Sequence, residues 1–254
     1  MEESRRRRNI EREFGVPFAG ELLTQDKWTK TGLKLDSSKP FDVQAVFGRT
    51  NPLVVDLGCG NGRFLIGSAV WRPTHDHLGV DELPLVVRYA VRRANQRGLS
   101  NIRFAMFDAR RLVDLLPPQS VAELHVYHPQ PYYRPEEFGL RLLTPRFLAD
   151  VHSRLKTDGK LFLQTDHPAY WEYLESVVPR LFDFHQQPGP WPDAPKGRTR
   201  REIIALKRGL PVFRCWGTPK RLDAAAITEL VDEAPLPTFD ADRSLWEIDE
   251  AERE

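Results

Sequence analysis

The chain has 254 residues, 41% of them hydrophobic, and a formal net charge of +1. That supports one substantial core, as one domain with extensions rather than two. No run approaches the roughly 18 apolar residues of a membrane span, and the arginines at the start lack the apolar stretch of a secretory signal behind them.

Cys59 and Cys215 show neither metal-ligand nor disulfide-framework spacing, so a soluble protein of the reducing cytoplasm, without a metal, is expected. The charge is unevenly spread. Residues 217–254 hold four Lys and Arg against eleven Asp and Glu, which leaves 33 against 25 on residues 1–216. Basic residues gather at Arg5 to Arg8, at Arg88, Arg92, Arg93 and Arg97, and between Lys196 and Arg208. Each cluster alone reads as a solvated face; three together shift the reading toward a polyanion.

In chain order, residues 1–45 read as a basic N-terminal extension, with Trp28 to Leu35 packing on the edge of the domain that follows. Leu53 to Leu57 is an apolar run containing Asp56 and is expected as a buried strand, followed by glycines at 58, 60 and 62 and a helix to about residue 70. Leu78 to Asp81 reads as a second strand. Leu83, Val86, Val87, Ala90, Val91 and Ala94 then recur at helical spacing, with Pro84 in the first turn and Gly98 as the stop. Ile102 to Phe107 is a third strand, with a short helix from Asp108-Ala109 to about Leu116. Val121 to Tyr127 is a fourth, closing on His128-Pro129-Gln130-Pro131-Tyr132-Tyr133.

Thr144-Pro145 starts the next helix, and Gly159 to Thr165 is a fifth strand. A helix carrying Trp171, Leu174 and Val178 leads to a sixth strand at Leu181 to Phe184. Residues 186–198 read as a loop, Thr199 to Arg208 as a helix and Pro211 to Trp216 as a last strand. The acidic tail from residue 217 has one helix, Asp223 to Val231, and otherwise reads as loosely ordered. Strands alternating with helices imply an α/β fold: a doubly wound, mostly parallel Rossmann-like sheet of about seven strands with helices on both faces.

Gly58-Cys59-Gly60-Asn61-Gly62-Arg63 puts an arginine where a dinucleotide-binding turn would have its third glycine, and no Lys-Ser or Lys-Thr follows to make a phosphate cradle. Ligands of open parallel sheets sit beyond the carboxyl ends of the strands. Asp56, Asp81, Asp108 and Gln130 each follow an apolar run at such an end. An acid two residues before the first glycine resembles motif I of the S-adenosylmethionine-dependent methyltransferases. In that reading Asp81 takes the two ribose hydroxyls, Asp108 with Ala109 meets the adenine edge, and Asp56 supports the turn at Gly58 and Gly60 or the methionine ammonium.

From Val46 to Trp216 the chain resembles the bacterial tRNA (guanine-N7-)-methyltransferase family. The resemblance is carried by Phe47-Gly48-Arg49, by Asp56 and Asp81 where that family has glutamates, by Asp108-Ala109, by Thr165-Asp166 with Tyr170, and by Thr199-Arg200-Arg201-Glu202 before Arg208-Gly209. After the fourth strand the family carries Phe-Pro-Asp-Pro-Trp-Pro-Lys and a basic run. Here the acid is Gln130 and the basic run is reduced to Arg134 and Arg141. The resemblance implies a methyltransferase domain over residues 46–216, S-adenosylmethionine as cofactor and a variable-loop guanine of tRNA as acceptor, in a monomer or homodimer. It also implies cofactor contacts from Asp56, Gly58, Gly60, Asp81, Asp108, Ala109 and Gln130, substrate contacts from Arg134, Asp166, Thr199 and Glu202, and Gln130 as the catalytic position.

Each of the last residues has a second reading. Thr199 and Glu202 form a capping box, Asp166 can cap the helix after Pro168, and Gln130 can be a turn former between two prolines. His128 reads as a packed loop residue, and Tyr132 and Tyr133 as stacking partners of a base or as loop closure. Two further functions stay open: a methyltransferase of this fold on another RNA or small-molecule acceptor, and an RNA-binding homologue of low activity.

Overall fold

Leu53–Leu57 (β1) is buried at all five positions, as a strand covered on both faces must be. A computed structural model of the chain describes residues 22–246, so Arg5 to Arg8 lie outside the described residues. Around β1 the chain lays down Asp76–Asp81 (β2), Ile102–Met106 (β3), Val121–Tyr127 (β4), Leu155–Thr165 (β5), Phe182–Gln186 (β6) and Phe213–Pro219 (β7). Their order in the sheet is β3-β2-β1-β4-β5-β7-β6. The first five strands run parallel to one another, and β7 is antiparallel to both β5 and β6.

The short helix Val43–Phe47 (α1) precedes β1, and helices then alternate with strands: Arg63–Trp71 (α2), Pro84–Asn95 (α3), Ala109–Leu115 (α4), Pro145–Arg154 (α5), Pro168–Leu181 (α6), Arg200–Lys207 (α7) and Ala224–Asp232 (α8). Two apolar cores result, one per face. Phe64, Leu65, Ile66, Val87 and Ala90 of α2 and α3 close on Val54 and Phe104. On the other face Leu112, Leu148, Val151, Leu174 and Val178 close on Val55, Leu124 and Leu163. Strand order reverses between β1 and β4, which opens a crevice at the carboxyl ends of the strands where no crossover covers them.

The edge of β3 is covered by the segment before the domain: Leu33 N–H donates to the Phe104 carbonyl and Phe104 N–H to the Thr31 carbonyl, both at 2.8 Å. Two expectations change. The four arginines of α3 and the turn after it do not share one solvated face, because Arg93 is buried with its guanidinium 5.0 Å from the Tyr89 ring and Arg97 donates to the Arg93 carbonyl. The tail is not loose after α8: Pro237 and Phe239 are docked on the body, where Phe239 packs 4.9 Å from the Tyr170 ring.

Candidate functional site

The turn after β1 has left-handed backbone at Gly58, Gly60 and Gly62 (φ 75°, 51° and 73°), a conformation that side chains disfavour. The glycines serve two purposes. A side chain at Gly62 would lie 2.9 Å from Ala90 and Phe104, so that glycine lets α2 and α3 meet the sheet, whereas Gly58 and Gly60 face open space. The turn is pinned to β2 by the Gly58 and Cys59 N–H groups on the Val80 carbonyl, each at 2.9 Å. It borders a cleft of about 490 Å³ that Asp56, Gly58, Gly60, Asp81, Asp108, Ala109, Gln130 and Thr199 all line. Seven of these are the residues expected to hold a cofactor.

Asp81 accepts from the Gly60 N–H at Oδ2 and from the Leu83 N–H at Oδ1, both at 2.9 Å. A carboxylate has about four acceptor sites, so these bonds leave room for a ligand hydroxyl. Burial raises its carboxyl above the ordinary value despite those donors. Asp56 is 3% exposed, and burial, then the charge of Asp81, pushes its pKa up to about 8. A neutral carboxylic acid therefore sits beneath the turn at pH 7, ready to ionise beside a cation. Asp108 caps α4, with Oδ1 accepting from the Arg111 N–H at 2.7 Å, and Ala109 follows it at the rim.

At the β4–β5 edge the expected acceptor contacts come out differently. Asp166 is 1% exposed and does not reach the cleft. Its Oδ1 accepts from His128 Nδ1–H at 3.0 Å and its Oδ2 from Arg201 Nε–H at 2.8 Å. Burial would raise its carboxyl, but His128 and then Arg201 outweigh that and hold it well below the usual carboxylate range. The His128 tautomer follows from its neighbours. The Trp191 indole can only donate, so its 2.7 Å bond fixes Gln164 Oε1 as acceptor and turns the Gln164 NH₂ to His128 Nε2, 2.8 Å away. Nε2 is thus the acceptor and Nδ1 carries the proton. It is His128 and Arg201 that line the cleft, with Asp166 behind them.

Thr199 is the cap of α7, accepting from the Glu202 N–H at 3.0 Å. Glu202 is fully buried and outside the cleft: Oε2 accepts from the Arg198 N–H at 2.7 Å and Oε1 from Arg214 Nη2–H at 2.6 Å. Thr199 caps the helix as expected, but the Glu202 carboxylate reaches Arg198, one residue before the cap, and Arg214 rather than the Thr199 N–H of a reciprocal capping box. Arg134 is exposed and stands at the start of the 3₁₀ turn Pro135–Leu140, away from the cleft lining. Two arginines take places the sequence reading did not give them: Arg63 is buried on the cleft wall, and Arg198, outside the cleft lining, has its guanidinium 4.3 Å from the Trp191 ring and 5.0 Å from that of Phe64. Arg63 stood in the motif as the residue in the third-glycine position and Arg198 in the basic cluster between Lys196 and Arg208; its packing on rings was not legible, since they come from distant segments.

Comparison with known proteins shows the family and the fold. The methyltransferase family model Methyltransf_4 matches residues 50–214. The chain is 30% identical over 205 residues to the tRNA (guanine-N(7)-)-methyltransferase of Halorhodospira halophila, covering 79% of this chain and 89% of that protein. It is 30% identical over 204 residues to the enzyme of the same name from Alkalilimnicola ehrlichii, covering 78% and 84%. Among solved structures, the 16S rRNA methyltransferase KamB superposes with a TM-score of 0.52 at 18% identity, over 70% of this chain and 92% of that one, a likeness of fold.

Proposed function

The chain belongs to the tRNA (guanine-N7-)-methyltransferase family, and on that footing we propose that it transfers a methyl group from S-adenosylmethionine to N7 of a guanine in the variable loop of tRNA. The observation that carries the reading is the glycine turn at the strand switch point, left-handed at Gly58 and Gly60, open to the cleft and ringed by Asp56, Asp81 and Asp108. These residues fit the cofactor: open backbone beside the turn, carboxylate lone pairs for a diol, and a buried acid for an ammonium. When bound, the cofactor supplies an electrophilic methyl on a sulfonium.

In this reading Asp81 accepts from the ribose hydroxyls, Asp108 and Ala109 border the adenine, and Asp56 ionises against the ammonium. Guanine N7 has a lone pair and no proton, so its attack needs no general base. The protein's task is to hold N7 in line with the methyl and to exclude water. His128, with both ring nitrogens engaged, is free of any proton-transfer duty. Gln130 lines the cleft and offers its carbonyl oxygen to the guanine edge or to positive charge growing on the ring. A dipole stabilises that charge less than the family's carboxylate would, so Gln130→Asp should raise kcat about tenfold.

The test is transfer of tritiated methyl groups to unmodified tRNA, followed by chemical cleavage at N7-methylguanine. Cleavage at one variable-loop guanine supports the proposal. Label elsewhere means another acceptor, and no label means a binding protein; either would overturn it.

A further inference from the structure

The segment that carries Gln130 is held at both ends. At its start His128 has φ 51° and is fixed by its N–H on the Gln164 carbonyl at 2.7 Å and by its ring on Asp166. At its end Tyr132 has φ 46°. A residue with a side chain is strained in that region and keeps the conformation only where its surroundings impose it. What imposes it at Tyr132 is Arg141, whose side chain is among the largest that are fully buried. Its Nε–H donates to the Pro131 carbonyl and its Nη2–H to the Tyr132 carbonyl at 2.7 Å.

The third side of the same guanidinium belongs to the tail. Nη1–H donates to the Pro237 carbonyl at 2.6 Å, and the guanidinium is sandwiched between Phe138 and Phe239, 3.8 Å from each ring centre. Phe239 is itself seated on α6, 4.9 Å from Tyr170 and 5.8 Å from Tyr173. Arg141 thus satisfies two carbonyls of the Gln130 segment only while a third carbonyl and a ring from about a hundred residues downstream hold it in place. The matched family region ends at residue 214, so this part of the tail lies beyond it.

We propose that the tail from Pro237 to Phe239 is a strap that acts through Arg141 to hold the Gln130 segment in its acceptor-binding shape, which makes Arg141 and Phe239 positioning residues for methyl transfer. The inference rests on the function proposed above. Neither residue lines the cleft, so the strap reaches it only through the Gln130 segment, whose proposed part is on the acceptor side, and leaves the cofactor contacts proposed for Asp56, Asp81 and Asp108 in place. Without the Phe239 ring, the Arg141 guanidinium loses one face of its sandwich and the two carbonyls lose a fixed donor. The Gln130 segment then relaxes from its left-handed turns, and N7 is no longer aligned with the methyl.

The experiment compares the full chain with Phe239→Ala by hydrogen exchange at the Gln130, Tyr132 and Tyr133 amides, and by kcat, KM for tRNA and cofactor Kd. Expected are exchange about tenfold faster at those amides, kcat lower by about tenfold or more, cofactor Kd within about twofold, and near-normal values for Phe239→Tyr. Should Phe239→Ala fail to fold, Phe239→Leu, which keeps the apolar contact with α6 but not the ring over the guanidinium, carries the same comparison. Unchanged exchange at the three amides overturns the strap whatever the chemistry proves to be. Faster exchange with unchanged kcat overturns its positioning role. Absence of methyl transfer in the unaltered chain would sink the proposed function instead, and the exchange comparison would still decide the strap.

Discussion

Asp56 is where burial, charge and ligand chemistry meet in one side chain. Folded, it holds its proton to about pH 8; unfolded, it releases it near 3.8. The native state therefore binds more protons between those values, and the stability linked to Asp56 is full below about pH 4 and declines as pH rises toward 8, by up to about 1.4 kcal/mol per unit. A ligand ammonium reverses the preference, because it needs the carboxylate. Affinity for S-adenosylmethionine should strengthen by up to about tenfold per unit as pH rises from 6 to 8, with protons released on binding. Calorimetry in buffers of different ionisation enthalpy reads both effects, and Asp56→Asn should flatten the profile. A pH-independent Kd in the unaltered protein would show that no cation sits on Asp56. None of this was legible beforehand: the sequence places Asp56 before the glycines, but its neutrality comes from closure of the sheet around it and from Asp81 on the next strand.

At the scale of elements, most of the architecture could be read from periodicity. Asp56, Asp81 and Asp108 mark strand ends because an apolar run stops at each, and Thr144-Pro145 and Thr199-x-x-Glu202 mark helix starts because caps have short-range rules. What escaped was long-range pairing. Glu202 was legible as a cap, but not that β7 brings Arg214 onto its Oε1 through Nε at 3.1 Å and Nη2 at 2.6 Å, with both side chains buried. Asp166 was legible as an acid at a strand end, but not that His128 and Arg201 would use both its oxygens. The Glu202 pair ties α7 to β7, the strand antiparallel to both of its neighbours. Arg214→Met should lower stability by about 3–5 kcal/mol in chemical denaturation, because it leaves a buried carboxylate unpaired, and adding Glu202→Gln should recover part of the loss. Loss of less than about 1 kcal/mol in the single variant would mean that the pair does not anchor α7.

Over the whole molecule, charge and cleft define the face that would meet RNA. Arg88 and Arg92 are exposed on α3, whose first turn borders the cleft through Leu83 and Val86, whereas Arg93 is spent on packing against Tyr89. Affinity for tRNA should fall steeply with salt. Arg88→Gln should reduce the slope of log K against log[salt] by roughly one, and Arg93→Gln should destabilise the fold without changing the slope. Equal slopes for Arg88→Gln and the parent chain would place the RNA elsewhere. The most direct test of the account is a calorimetric titration of S-adenosylmethionine into the full chain and into Asp81→Ala. Saturable one-to-one binding is expected in the first and affinity weaker by about tenfold or more in the second, since two ribose hydroxyls lose a charged acceptor. No heat in the full chain, or equal affinity in both, would contradict it.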